Sequence, residues 1–211
     1  MAVAVCLAVV AAGLGLLLLG ERSGRPVPAT VGKTLASLAF LAFGWSRLRA
    51  GSTADAYLVL GLVLCLVGDL LLLGRRRLAV ALVAFLLGHL AYLAAFQALV
   101  PARGWPLALA APLVSASAVA ATWLWPHLGR LRPAVIAYVA VITTMVWGAL
   151  ATAVAGVLPP GAAIGAGLFY LSDLAVARQR FVRRSDPLRA AGLVVYYVGQ
   201  LLLAGAVGVA G

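Results

Sequence analysis

Charged residues are scarce in this chain, and acidic residues are the scarcest of all. Only 10% of the 211 residues are charged, with 5 Asp and Glu against 16 Lys and Arg. An ordinary soluble domain is about a quarter charged and about half apolar. Here 65% of the residues are hydrophobic, and the mean hydropathy is +1.12. The composition therefore excludes an ordinary soluble domain and predicts an integral membrane protein.

Histidine, cysteine and lysine are also rare, and their scarcity excludes several kinds of site. Two histidines are too few for a zinc site with three histidine ligands. The two cysteines, Cys6 and Cys65, lie far apart in apolar segments, and we interpret them as small buried hydrophobes. The single lysine, Lys33, lies in the second apolar run rather than the last, which argues against a retinal Schiff base. Because nucleotide-binding and Gly-x-Ser-x-Gly motifs are also absent from the sequence, we predict neither a metal nor a cofactor.

The net charge of +11 does not indicate a nucleic-acid partner. The arginines lie in short stretches between apolar runs, where the positive-inside rule expects cations. A nucleic-acid-binding protein would instead present a basic face with interleaved aromatic residues on a soluble element. We therefore predict that the partners are membrane lipids and not nucleic acid.

Apolar runs of span length fill nearly the whole chain. About 20 apolar residues cross a bilayer as a helix, and Gly, Pro and Arg separate eight such runs here. The N-terminal stretch MAVAVCLAVVAAGLGLLLLG lacks the basic leader of a cleaved signal peptide, so we interpret it as the first span. We predict an all-α polytopic membrane helix bundle of about eight transmembrane helices, forming one integral membrane domain over residues 1–211. The helices are expected at roughly 2–19, 31–48, 55–73, 78–99, 105–124, 133–153, 161–177 and 188–209.

The distribution of cations between the spans predicts the orientation. Three arginines fall in the even-numbered loops, namely Arg47, Arg49 and Arg103. Twelve fall in the odd-numbered loops: Arg22, Arg25, Arg75, Arg76, Arg77, Arg130, Arg132, Arg178, Arg180, Arg183, Arg184 and Arg189. Since loops rich in Lys and Arg remain in the cytoplasm, we expect both termini to lie outside it. We expect the membrane to be a bacterial cytoplasmic membrane.

Two of the five acidic residues lie inside apolar segments, at matching heights. They are Asp69 in LVLCLVGDLLLLGRRR and Asp173 in GAGLFYLSDLAVARQR, each followed closely by arginines. Carboxylates in a hydrocarbon layer are costly and face a bundle interior, a partner group or a cavity. One interpretation is structural, with Asp69 as a counter-ion to Lys33 and Asp173 paired with a loop arginine. The functional interpretation is that the two carboxyls form a catalytic acid/base pair.

Other polar residues fall in the same half of the predicted bundle. One interpretation of Lys33 is that its amine extends to the membrane surface, as a lysine near a helix end commonly does. The other is that Lys33 binds phosphate or tunes the acidity of an aspartate. His89 and Tyr92 share one helix face, and His89 has a catalytic, a pocket-lining or a purely helix-bonding interpretation. Helix–helix hydrogen bonding and ligand contact explain the polar groups of the last span equally well. The candidates for lining or orienting a pocket are Lys33, His89, Tyr92, Tyr138, Ser172, Tyr196 and Gln200.

Four segments together carry a family resemblance. GLVLCLVGDLLLLGRRR, FLLGHLAYLAAF, GAGLFYLSDLAVARQRF and YYVGQLLL, in this order, resemble the YhhN-like lysoplasmalogenase family of eight-span membrane proteins. The resemblance covers nearly the whole chain. In that family the lysine of the second span is typically followed by proline, whereas Lys33 is followed by Thr34.

The resemblance implies a lysophospholipid substrate. The expected reaction is hydrolysis of the vinyl ether bond of a lysoplasmalogen, which releases a fatty aldehyde and a glycerophospho-amine. Protonation of the vinyl ether carbon needs a positioned acid, and a negative charge stabilises the resulting cation, as in glycosidases with two carboxyls. Asp69 and Asp173 are the expected acid/base pair. The alternative is a small membrane transporter or lipid-binding protein in which the aspartates are protonatable sites.

Overall fold

A computed structural model describes residues 2–74 and 77–209 of the chain. Within these ranges the protein contains eight α-helices, each long and apolar enough to cross a membrane. This confirms the predicted all-α membrane bundle, and the protein is a multi-pass membrane protein. The helices are α1 (Ala2–Arg22), α2 (Pro26–Trp45), α3 (Thr53–Leu72), α4 (Leu78–Leu99), α5 (Leu107–Leu124), α6 (Arg132–Val154), α7 (Pro160–Ala177) and α8 (Asp186–Ala206).

The predicted bounds of the first two helices are wrong by up to five residues. Helix α1 extends to Arg22 rather than 19, and α2 begins at Pro26 rather than 31 and ends at Trp45 rather than 48. Proline is well suited to the first turn of a helix because its fixed φ is helical and no N–H is needed there. The predicted start at residue 31 leaves Pro26 and Pro28 outside the helix. Lys33 consequently lies two turns inside α2 and not at its start.

Helix termini elsewhere follow local chemistry. Pro160 opens α7 in the same way as Pro26 opens α2, and the Ser52 hydroxyl caps α3 by accepting a hydrogen bond from the Asp55 N–H at 3.2 Å. The remaining predicted bounds differ from the observed ones by at most three residues. Arg75 and Arg76, which enter the predicted charge count, lie outside the described residues.

The backbones of neighbouring helices approach each other closely at glycine residues, which have no side chain to keep them apart. A Cβ on Gly165 of α7 would lie 2.8 Å from the backbone oxygen of Gly199 on α8, and a Cβ on Gly199 would lie 2.9 Å from the oxygen of Gly165. Small residues at helix interfaces allow such backbone contact in membranes, where packing rather than the hydrophobic effect drives association. This contact fixes the position of α7, which carries Asp173, relative to α8, which carries Tyr196.

A third buried acid, Asp55, lies in the first turn of α3, at the opposite end of that helix from Asp69. Its side chain is fully buried and accepts hydrogen bonds from Arg49 Nε at 3.0 Å and from the Gly208 N–H at 2.9 Å. Gly208 has a φ of +74°, a conformation that favours glycine. Asp55 therefore attaches the end of α8 to the loop between α2 and α3.

Candidate active site

Asp69 lies at the meeting point of α2, α3 and α8. Lys33 Nζ is 3.1 Å from Asp69 Oδ1. The other oxygen, Oδ2, accepts hydrogen bonds from the Ser37 hydroxyl at 2.8 Å and the Tyr196 hydroxyl at 2.7 Å. Every polar partner is a donor, which is the environment that stabilises an ionised carboxylate.

The sequence of α2 explains how Lys33 and Ser37 reach the same carboxylate. They are four residues apart, so they occupy one face of the helix. Tyr197 lies behind them, with its hydroxyl 3.2 Å from Ser37 Oγ. Lys33 is only 5% exposed and Asp69 is 2% exposed. The interpretation in which Lys33 extends to the membrane surface is therefore wrong, because its position inside α2 directs the amine into the bundle.

Asp173 has a different environment on the other side of the bundle interior. The Tyr138 hydroxyl donates to Asp173 Oδ2 at 2.8 Å, and His89 Nε2 lies 3.4 Å from the same oxygen. Some 20% of the Asp173 side chain is exposed, whereas His89 is fully buried. Among the described residues no arginine lies within ion-pair distance of Asp173, so the interpretation of a pair with a loop arginine is not supported.

The hydrogen bonding of His89 determines which of its nitrogens carries a proton. Its Nδ1 lies 2.6 Å from the Phe85 carbonyl oxygen, which accepts only, so Nδ1 is assigned the hydrogen. In a neutral imidazole Nε2 then presents a lone pair toward Asp173. A lone pair facing a carboxylate is repulsive unless one further proton lies on either group. His89 and Asp173 are therefore placed to share a proton, although Nε2 has no hydrogen bond of good geometry within the described residues.

An aromatic ring separates the two aspartates. The Phe169 ring lies 4.4 Å from the His89 ring and 5.4 Å from the Tyr196 ring, measured between centroids. Within residues 2–74 and 77–209, no ion pair or hydrogen bond joins Asp69 to Asp173. The two carboxyls thus share the bundle interior but belong to separate polar networks, connected through His89, Phe169 and Tyr196.

Among the described residues, three of the predicted pocket residues form no hydrogen bond or ion pair with either aspartate. Tyr92 donates its hydroxyl proton to Gln200 Oε1 at 2.7 Å, and both side chains are fully buried. The amide nitrogen of Gln200 has no hydrogen-bond partner in the described part of the chain. Ser172 is buried, but in the same part of the chain it makes no hydrogen bond to either carboxyl. Of the seven predicted residues, Lys33 and Tyr196 join Asp69, whereas His89 and Tyr138 join Asp173.

Three residues that the structure places in these networks are not among the predicted site residues. Ser37 and Tyr197 complete the surroundings of Asp69, and Phe169 separates the networks. A signal existed for Ser37, which lies four residues after Lys33 on the same helix face. Phe169 carries no polar group, and only the packing of α4 and α8 against its ring reveals its position.

Neither a metal cluster nor an open groove in the described part of the chain adds to this site. Across the described ranges, no three His, Cys, Asp or Glu side chains group together in a way that could hold a metal ion. An open groove of about 620 Å³ is lined by Arg49, Ser52, Tyr57 and Leu60, at the end of α3 that carries Asp55. It contains none of the predicted site residues, and the candidate site is the pair of carboxylate networks.

An eight-helix membrane bundle with two carboxylates held inside it defines a polytopic membrane protein with an intramembrane polar site. The chain belongs to the YhhN family, which matches it over residues 29–207. A relative named uncharacterized membrane protein YhhN, from Escherichia coli O157:H7, is 32% identical over 157 residues, covering 71% of this chain and 74% of that protein. The family resemblance in the sequence is thereby confirmed.

More distant relatives carry the name of an enzyme. A protein named lysoplasmalogenase from Mycobacterium bovis is 34% identical over 127 residues. The alignment covers 57% of this chain and 47% of that protein, so the chain aligns with about half of its length. A lysoplasmalogenase from Mycobacterium tuberculosis gives the same figures. No solved structure matches the chain.

Proposed function

We propose that the protein is a lysoplasmalogenase-like membrane hydrolase that cleaves the vinyl ether bond of lysoplasmalogens. The products would be a fatty aldehyde and a glycerophospho-amine. Two considerations support the proposal. Distant relatives that align with 57% of the chain are named lysoplasmalogenase. In addition, the site offers a partly exposed carboxyl inside a membrane bundle, close to where a single-chain lipid places its ether bond.

The reaction requires one proton and one water molecule. The acid transfers its proton to the β-carbon of the vinyl ether, and the π electrons of the double bond form the new C–H bond. Water adds to the resulting oxocarbenium carbon and returns a proton to the carboxylate. The hemiacetal then collapses: its C–O bond to glycerol breaks, its hydroxyl proton passes to the glycerol oxygen, and the aldehyde leaves. Vinyl ether and water are thus converted to aldehyde and alcohol without any redox change.

Asp173 is the proton donor in this proposal, and its contact with His89 is the observation that carries it. The pair shares one proton, because His89 Nδ1 is occupied by the Phe85 carbonyl and Nε2 faces the carboxyl. Asp173 is also the more accessible of the two aspartates. The Tyr138 hydroxyl, which donates to Asp173 Oδ2, orients the carboxyl toward the substrate. A general acid held in this way contributes roughly 10²- to 10⁴-fold to a rate.

Asp69 is the second member of the proposed pair, with a less direct role. Three donors surround it, and its near-complete burial keeps it away from the substrate. In this proposal it acts as a fixed negative charge that the Lys33 ammonium partly compensates. It also positions Tyr196 against Phe169. The buried groups of Tyr92, Ser172 and Gln200 are proposed to line the path of the lipid chain.

Lipid substrates enter from the membrane, so the location of the site matters. We propose that the protein resides in a bacterial cytoplasmic membrane with both termini outside the cytoplasm. This orientation follows from the excess of arginines in the odd-numbered loops. It places Asp173, near the inward end of α7, in the half of the bilayer that faces the cytoplasm.

The direct test is aldehyde release by purified protein in lipid nanodiscs. The substrate is a 1-O-alkenyl lysophospholipid, and the control is the same lipid with a saturated ether chain. The proposal expects aldehyde from the first and none from the second, because a saturated chain has no double bond to protonate. Lack of aldehyde, combined with lysolipid movement across liposomes that depends on a pH gradient, would favour the transporter alternative.

A further inference from the structure

The helix that carries Asp173 does not end as an ordinary α-helix. Helix α7 continues directly into a π-helical turn, Arg178–Val182, which contains Arg178 and Arg180. Short π-helical segments are rare and occur frequently at functional sites. This turn is the part of α7 that a lipid headgroup would meet if its chain lay beside Asp173.

The turn is held in position by its own side chains and backbone. The Ser185 N–H donates to Gln179 Oε1 at 2.8 Å, and Gln179 Nε2 donates back to the Ser185 carbonyl oxygen. The Arg183 N–H bonds the Arg178 carbonyl at 3.0 Å. These bonds fix the backbone, so the arginines project from a defined surface.

Arg180 has no acidic partner in the described part of the chain. Two other cations on the same side of the bundle are engaged: Arg189 pairs with Glu21, and the Arg132 guanidinium stacks on Trp125 at 4.7 Å from the ring centroid. The whole chain has 5 acidic residues for 16 basic ones. An exposed arginine without a carboxylate partner is available to an external anion, and arginine suits phosphate through its paired N–H groups.

The spacing between Arg180 and Asp173 fits a phospholipid. The two residues are seven positions apart, and the last three of these positions lie in the π-helical turn, so Arg180 follows Asp173 by roughly two turns at the same end of α7. Their axial separation is about 10 Å, and helical side chains tilt toward the N-terminus, which directs Arg180 back toward Asp173. A three-carbon glycerol places phosphate and ether oxygen roughly 6 Å apart at about 1.5 Å per bond. An arginine side chain extends over the remaining distance.

We infer that Arg180 binds the phosphate of the lysophospholipid whose ether bond lies at Asp173. This inference rests on the proposed function for the substrate class, but not on turnover. Arg180 determines substrate affinity and the position of the ether along α7. It takes no part in proton transfer.

The first experiment measures binding without catalysis. A lysophospholipid with a saturated ether chain is titrated into wild type, Arg180→Gln, Arg180→Lys and the control Arg184→Gln in nanodiscs of neutral lipid. Arg180→Gln should weaken binding about tenfold, the loss expected for one charge-assisted contact. Arg180→Lys should recover part of that affinity, and Arg184→Gln should bind as wild type does. Equal weakening by Arg180→Gln and Arg184→Gln would overturn the inference in favour of a general charge effect.

The second experiment identifies what Arg180 recognises. An alkylglycerol without phosphate should bind wild type and Arg180→Gln equally, and an equal loss for this ligand would overturn the inference. Free glycerophosphoethanolamine that competes with the lysolipid on wild type, but less on Arg180→Gln, would support a subsite for the phosphate ester alone. Absence of competition, with the tenfold lipid effect intact, would support recognition of phosphate only as part of the lipid.

Kinetics separate this inference from the proposed function. Arg180→Gln should raise KM for the alkenyl lipid about tenfold and leave kcat within twofold. If wild type releases no aldehyde, the proposed reaction is wrong, while the binding experiment still tests Arg180. A fall in kcat at unchanged KM would contradict the assignment of Arg180 to phosphate binding.

Discussion

Lys33 Nζ lies 3.1 Å from Asp69 Oδ1, with both side chains removed from the surface of the bundle. This ion pair joins α2 to α3, and Ser37 and Tyr196 complete it with two hydrogen bonds. Two buried charges stabilise a fold only while each compensates the other. The structural interpretation of Asp69 as the counter-ion of Lys33 is thus consistent with its geometry, and it does not conflict with an electrostatic role in the proposed reaction.

Substitution of Lys33 alone should therefore lower the stability of the protein. Lys33→Met leaves Asp69 charged and partly uncompensated, and we expect a loss of about 3–5 kcal/mol in the free energy of unfolding. The double variant Lys33→Met with Asp69→Asn should recover much of this loss, since no unpaired charge remains. Unfolding of all variants in one detergent provides the measurement. Purely additive effects of the two single substitutions would contradict the buried ion pair.

The close contact between α7 and α8 can be tested by comparing an alanine substitution at a glycine in the contact with one at a glycine outside it. A Cβ on Gly165 would meet the Gly199 backbone oxygen at 2.8 Å, whereas a Cβ on Gly167 has nothing within 4 Å. We expect Gly165→Ala to destabilise the protein by about 1–3 kcal/mol, as overpacking does. Gly167→Ala should be neutral or stabilising because alanine is the better helix former. Thermal unfolding that is equal for both variants would argue against the close contact.

His89 should affect the reaction more than the fold. His89→Gln deletes the group proposed to share a proton with Asp173, and it should lower kcat for aldehyde release by about 10²-fold. Tyr138→Phe removes only the hydroxyl that donates to Asp173 Oδ2, and a smaller loss of about tenfold is expected. Comparison with Tyr57→Phe, at an exposed tyrosine outside the site, controls for general effects. Wild-type kcat in His89→Gln would refute the shared proton.

Orientation can be tested by labelling of single engineered cysteines in intact cells. Cys6 and Cys65 are buried and should give little background. Arg103→Cys lies in an even-numbered loop and should react with a membrane-impermeant maleimide. Arg130→Cys, in an odd-numbered loop, should react only after the cells are permeabilised. The reverse pattern would overturn the predicted orientation, although it would leave the fold unchanged.

The number of helices was predictable because span-length apolar runs have few alternatives in a membrane. Backbone polar groups must be satisfied within each segment, so such a run folds as a helix. The start of α2 was less predictable, because Pro26 either breaks a chain or opens a helix, depending on its place in the turn. For this reason Lys33 was predicted at the start of α2, whereas it lies in the interior of the helix.

The two buried aspartates and His89 were predictable as candidates, but their partners were not. A polar residue inside a span indicates a bundle interior, and this principle alone selects Asp69, Asp173 and His89. Which side chains meet depends on helix rotation and stagger, which no local pattern in the sequence specifies. Matching heights of the two aspartates suggested one pair, whereas the Phe169 ring separates them into two networks.

The most direct test of the proposed reaction is aldehyde release by Asp173→Asn. Asparagine keeps the size of the side chain and its capacity for hydrogen bonding but cannot donate a carboxyl proton. The control is Asp186→Asn, at an exposed acid in the first turn of α8. With unfolding temperatures equal to wild type, Asp173→Asn should release aldehyde from alkenyl lysophospholipid 10²- to 10⁴-fold more slowly, while Asp186→Asn retains the wild-type rate. A wild-type rate in Asp173→Asn would contradict its role as the proton donor.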